Sequence, residues 1–131
     1  MFSNCSSNEV NVDPQNVKYL WHLVNVTGGV AGVDKTFNLN TVVWAFNDET
    51  KKLVVENNND DQAAEDGLDS GTYDFDVIEI DGKTYLSIND NEFGNFLVSG
   101  NLLTINQNIM SSGTGADGFV YTFQRTIELV N

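Results

Sequence analysis

The chain of 131 residues has one cysteine, one proline and one histidine, and each scarcity closes a route. Cys5 alone cannot form an internal disulfide, and with a lone histidine it leaves zinc short of sulfur and nitrogen ligands. A Ser-His-Asp or Cys-His centre would have to use His22, and alternation sets His22 on the strand face opposite Trp21, outward and at the surface. Basic residues are also few, 6 against 19 acids. The net charge of −13 argues against nucleic acid and against docking on anionic membrane through a basic face. No apolar run approaches the roughly 20 residues of a membrane-spanning helix. No segment keeps a helical period over ten residues or so, and Asp61 to Leu68, with Ala63-Ala64-Glu65, predicts at most one short helical turn.

What is present is turn chemistry between short apolar runs. Eleven glycines and many Asn, Asp and Thr residues separate eight predicted strands: Val17 to Thr27, Thr41 to Phe46, Lys51 to Glu56, Thr72 to Ile80, Lys83 to Asn89, Asn95 to Ser99, Leu102 to Gln107 and Phe119 to Leu129. The connections Asn47-Asp48-Glu49-Thr50, Asp81-Gly82, Asp90-Asn91-Glu92 and Gly100-Asn101 are short enough to force antiparallel neighbours, and Asp81-Gly82 is a strong two-residue hairpin signal. Val42, Trp44 and Phe46 share one face; so do Leu53 and Val55, and Tyr73, Phe75 and Val77. After Val77 the apolar positions move to Ile78 and Ile80, which predicts a bulge or bend there. The longer separators, Gly28 to Asn40, Asn57 to Gly71 and Asn108 to Gly118, are either functional loops or variable surface.

The last strand places Phe119, Tyr121, Phe123, Arg125 and Ile127 on one face. A cation on an aromatic face needs a partner, because burying an unpaired charge costs several kcal/mol; a ring on a neighbouring strand supplies one. Pairing the last strand with the first, which carries Trp21, would set Arg125 against that ring. It would also close the sheet. The expected fold is therefore all-β, an eight-stranded antiparallel up-and-down barrel over residues 17–131, preceded by a tether over residues 1–16.

Trp21 on the first strand, the meander of short strands and the Tyr-Thr-Phe-Gln-Arg ending at Arg125 resemble the lipocalin-like (calycin) domains of bacterial, especially Bacteroidetes-type, envelope lipoproteins. The resemblance spans roughly Val17 to Leu129, and Tyr19 stands where that family has glycine. It implies that Trp21 and Arg125 are scaffold residues closing one end of the barrel. The segment Phe2-Ser3-Asn4-Cys5-Ser6-Ser7-Asn8-Glu9 is similar to the end of a bacterial lipoprotein signal peptide, with Phe2 and Asn4 departing from the usual pattern. That similarity implies a lipidated Cys5, a signal sequence upstream in the full-length gene product, and attachment at the outer membrane or cell surface by the lipid alone. The plain alternative is an unmodified thiol in a tail.

A barrel of this size either fills itself or encloses one small ligand. The interior candidates are Trp44, Phe46, Tyr73, Phe75, Tyr121 and Phe123, which would stack on apolar or flat molecules. Two readings follow, both non-enzymatic and without a cofactor: a carrier of a small hydrophobic molecule, or an accessory module with a packed barrel that binds an envelope protein or a glycan through its loops. A hydrolase using surface carboxylates ranks last, since no spacing singles out a pair among 19 acids. Asn58, Asp60, Asp61, Asp66 and Asp69, or Asp90, Asn91 and Glu92, are oxygen-rich enough to raise calcium. Neither set has the Asp-x-Asp-x-Asp-Gly spacing, so both are expected to be solvated loops.

Overall fold

The computed structural model describes residues 17–61 and 63–129. The proposed tether and Cys5 lie outside the described residues. The strands are β1 (Val17–Gly28), β2 (Val33–Thr36), β3 (Val42–Asn47), β4 (Lys52–Asn57), β5 (Gly71–Ile80), β6 (Lys83–Ile88), β7 (Asn91–Ser99), β8 (Leu102–Asn106), β9 (Ile109–Met110), β10 (Gly113–Thr114) and β11 (Phe119–Leu129). No helix occurs among the described residues, and within the predicted helical turn Ala63 to Leu68 forms turns and bends instead. Polar side chains compete there: Asp61 Oδ1 accepts from the Ala63 amide and Glu65 Oε2 from that of Gly67.

Eight of these strands, β1, β3 to β8 and β11, form an antiparallel meander that β11 closes by pairing with β1 from Phe119↔Gly28 to Leu129↔Val17. The barrel is closed, as expected. The three further strands lie inside the long separators. β2 folds back on the second half of β1, while β9 and β10 make a small separate hairpin.

Turn chemistry sets the hairpins. Asp81 and Gly82 both take positive φ, 54° and 81°, the backbone of a type I′ turn. A second such turn uses Asn89 and Asp90, at 50° and 69°, so β7 begins at Asn91 and the turn anticipated at Asp90-Asn91-Glu92 is displaced toward the N-terminus. Asn89 tolerates this conformation, and its Oδ1 also accepts from the Asp74 amide at 2.9 Å.

The bulge anticipated after Val77 is absent, because β5 pairs with β6 in unbroken register from Phe75↔Ile88 to Ile80↔Lys83. Ile78 and Ile80 are simply on the outside, 45% and 41% exposed. The face changes occur elsewhere. Opposite Thr122 and Phe123, β1 skips Val24, and its inward residues shift from Trp21 and Leu23 to Val26. Opposite Leu86 and Ser87, β7 skips Phe93, whose ring then packs 6.1 Å from that of Trp44 and 5.5 Å from that of Tyr121.

The middle of the barrel is occupied by its own side chains. Trp44 and Phe123, both fully buried, sit with ring centroids 4.7 Å apart, and Leu23, Leu53, Leu86, Leu103 and Ile105 surround them at zero exposure. The loop from Asn58 to Ser70 packs over one end. Asn57 Nδ2 donates to Leu68 O at 2.9 Å, Leu68 joins the core, and a Cβ on Gly67 would sit 3.4 Å from the Trp44 ring.

Candidate ligand recess

The opposite end is where the wall has a notch. The β3–β4 hairpin turns back at Asn47 to Lys52, whereas β5 runs on to Ile80. β4 therefore reaches only Gly71 to Asp74 of β5, and β3 pairs with β1 only at Trp21↔Trp44 and His22↔Val43. Above the hairpin lies a recess of about 240 Å³. Its floor and sides are Trp21, Phe46, Phe75 and Phe96, with Tyr19 and Val77 at the rim and Asp48 at the hairpin tip. The rings brace one another edge to face: Phe46 lies 4.9 Å from Phe75 and 5.9 Å from Phe96. Tyr19 is 47% and Val77 37% exposed, and Trp21 is nearly buried.

Arg125 crosses this end beside the recess. Its guanidinium carbon is 4.8 Å from the Tyr19 ring centroid and 6.0 Å from that of Trp21, and Nη2 donates to Asn101 Oδ1 at 3.0 Å. Tyr19 is thus the closer of the two rings. Lys51 Nζ lies 5.7 Å from the Phe75 ring on the outer flank.

The six interior candidates separate. Phe46 and Phe75 line the recess. Trp44, Tyr121 and Phe123 are sealed in the core, while Tyr73 is half-buried with its hydroxyl donating to Asp69 O at 2.7 Å. Tyr19, Trp21, Val77 and Phe96 line the recess without having been singled out for binding; the available signal was the short β3–β4 connection, which leaves rings above it without a wall. The Trp44 indole nitrogen has no hydrogen-bond partner among the described residues.

At the covered end Tyr121 donates its hydroxyl to Glu65 Oε2 at 2.8 Å. Burial, that hydrogen bond and the Glu65 and Asp66 carboxylates together raise the tyrosine well above its ordinary value of 10.0.

His22 faces outward as expected but is only 6% exposed, with Leu39 O and Thr126 Oγ1 against its two ring nitrogens. The Leu39 carbonyl can only accept, so Nδ1 carries a hydrogen toward it, and Nε2 meets Thr126 Oγ1 at 2.8 Å. The histidine is held as a structural group. The acidic loop uses its oxygens internally: Asp66 Oδ2 accepts from Asn59 Nδ2 at 3.0 Å, and Asp61 stands 3.9 Å from Lys35 Nζ. Among the described residues no three His, Cys, Asp or Glu side chains converge as a metal site.

The fold and recess define a class, a closed up-and-down barrel of lipocalin-like architecture with an aromatic hollow at the end where its first strand begins. Compared with protein-family models, curated proteins and solved structures, the chain matches none.

Proposed function

We propose that this is a non-enzymatic, lipocalin-like binding protein of the bacterial cell envelope, tethered through Cys5, whose barrel takes a small hydrophobic ligand at the Trp21 end. The observation that supports binding is the recess itself, an opening of about 240 Å³ walled almost wholly by aromatic side chains. That volume is below the roughly 300 Å³ at which drug-sized pockets begin, so the ligand is small or inserts only one group. The cell-envelope assignment is supported by the sequence around Cys5 alone.

A second reading is favoured by a different observation. Ile78 and Ile80, 45% and 41% exposed, share the outer face of β5, and Leu97, 58% exposed, is outward on β7 across β6, which suits a packed barrel acting as a module against an envelope protein. Titration with small apolar probes separates the two. Saturable binding that is lost when Phe75→Leu or Phe96→Leu reshapes the recess supports the first reading. Absence of binding across neutral, cationic and anionic probes, in a protein that remains folded, moves the assignment to the module.

A further inference from the structure

Resting on the ligand-binding reading, we propose that the recess selects a methylated organic ammonium, a small cation whose nitrogen carries methyl groups in place of hydrogens. Five aromatic side chains line the hollow, Tyr19, Trp21, Phe46, Phe75 and Phe96, with Phe46 set edge to face against Phe75 and Phe96. A ring face carries negative electrostatic potential, and several faces around one volume make a cage for a cation with apolar skin. Among the described residues Asp48, on its rim, is the only charged one lining the recess. Both pieces carry the same sign of preference, and the net charge of −13 draws cations toward the surface as a whole.

The chain's own cations show that these rings accept positive charge, since Arg125 rests on Tyr19 and Trp21 and Lys51 on Phe75. Arg125 opposes a second cation at close range. Its side chain is tied to Asn101, however, and it is not among the residues lining the hollow, whereas Asp48 is. Methylation is argued from hydrogen bonding. A primary ammonium brings three N–H donors, and a hollow walled by four apolar residues, Tyr19, Trp21 and one rim carboxylate offers too few acceptors to replace their water. A quaternary ammonium has no donor to satisfy.

The test uses three probes with the same branched head: a choline-type trimethylammonium alcohol, its neutral tert-butyl isostere with carbon in place of nitrogen, and a carboxylate bearing the tert-butyl group. Calorimetric titration of the wild-type protein is paired with emission of a Trp44→Phe variant, in which Trp21 is the remaining tryptophan. The cation should bind about tenfold tighter than the neutral isostere, and Asp48→Asn should reduce that ratio about threefold. Equal affinities for cation and isostere overturn the ammonium proposal and leave the apolar recess standing. A preference for the carboxylate overturns it in favour of Arg125 as an anion partner. No saturable binding of any probe overturns the recess as a ligand site altogether.

Discussion

Arg125 and Tyr19 meet across the β1–β11 seam, with the guanidinium carbon 4.8 Å from the ring centroid. The contact sits at the closing seam of the barrel and also flanks the recess. Arg125 pairs directly with Trp21, and its amide donates to Asn101 O at 2.8 Å, so one residue ties β1, β11 and the β7–β8 hairpin together.

Replacing Arg125 with Ala should therefore cost about 1–3 kcal/mol, from lost stacking on two rings and lost cover by the aliphatic stem. Lys should recover only part of it, since an ammonium has no planar face to lay on Tyr19 or fork to reach Asn101. Urea denaturation measures both. A loss within error of zero for Arg125→Ala would show the contact to be incidental.

Two glycines with positive φ allow a sharper comparison. Gly28 has φ 106° and a Cβ there would overlap the Gly118 carbonyl oxygen, whereas Gly82 has φ 81° with open space around it. Gly82→Ala should cost about 1 kcal/mol from conformation alone, and Gly28→Ala about 2–4 kcal/mol because backbone must also move. Similar losses at the two positions would contradict the close approach of β1 to Gly118.

Calcium should leave the melting temperature unchanged. Asp61 and Asp66 already accept hydrogen bonds from Ala63 and Asn59, and a cation would have to displace those contacts to collect six or more oxygens. A rise at millimolar calcium larger than that with magnesium would show that the loop reorganises around the ion.

The barrel was legible in the sequence because two of its signals are local and a third names its own partner. Alternation marked the strands, Asp81-Gly82 marked a hairpin, and Arg125 on an aromatic face demanded a ring on a partner strand. The bulges were not legible, since Val24 and Phe93 are apolar residues that suit either parity of a strand. Their placement depends on the partner: β1 skips Val24 against β11, and β7 skips Phe93 against β6. The recess escaped for a related reason. It arises from the stagger between a hairpin that turns back before Lys52 and a β5 that runs on to Ile80, together with the early end of β3–β1 pairing at Trp21↔Trp44, and stagger is a property of the closed sheet, not of any one segment. Trp44 and Trp21 consequently exchange their expected places: Trp44 sits sealed in the core and Trp21 at the hollow.

The covered end of the barrel gives a prediction in pH. Tyr121 donates to Glu65 across 56 residues of sequence, which pins the Asn58-to-Ser70 loop onto β11. Burial first, then the Glu65 hydrogen bond and the neighbouring carboxylates, raise its folded value above the ordinary 10.0. The unfolded chain therefore gives up this proton first as pH rises. The stabilisation is complete below about pH 10 and is lost above it, by about 1.4 kcal/mol per pH unit, until the folded tyrosine itself ionises. Tyr121→Phe removes both the bond and the titration. At neutral pH the variant should be less stable by about 1–2 kcal/mol, having left the Glu65 carboxylate without one donor. Above about pH 10 the wild type should lose stability faster than the variant, so their urea midpoints converge. The remaining tyrosines are common to both chains, and the difference between the two curves isolates Tyr121. Parallel curves across that range would show that Tyr121 ionises as freely in the folded barrel as in the unfolded chain, and that the loop does not shield it.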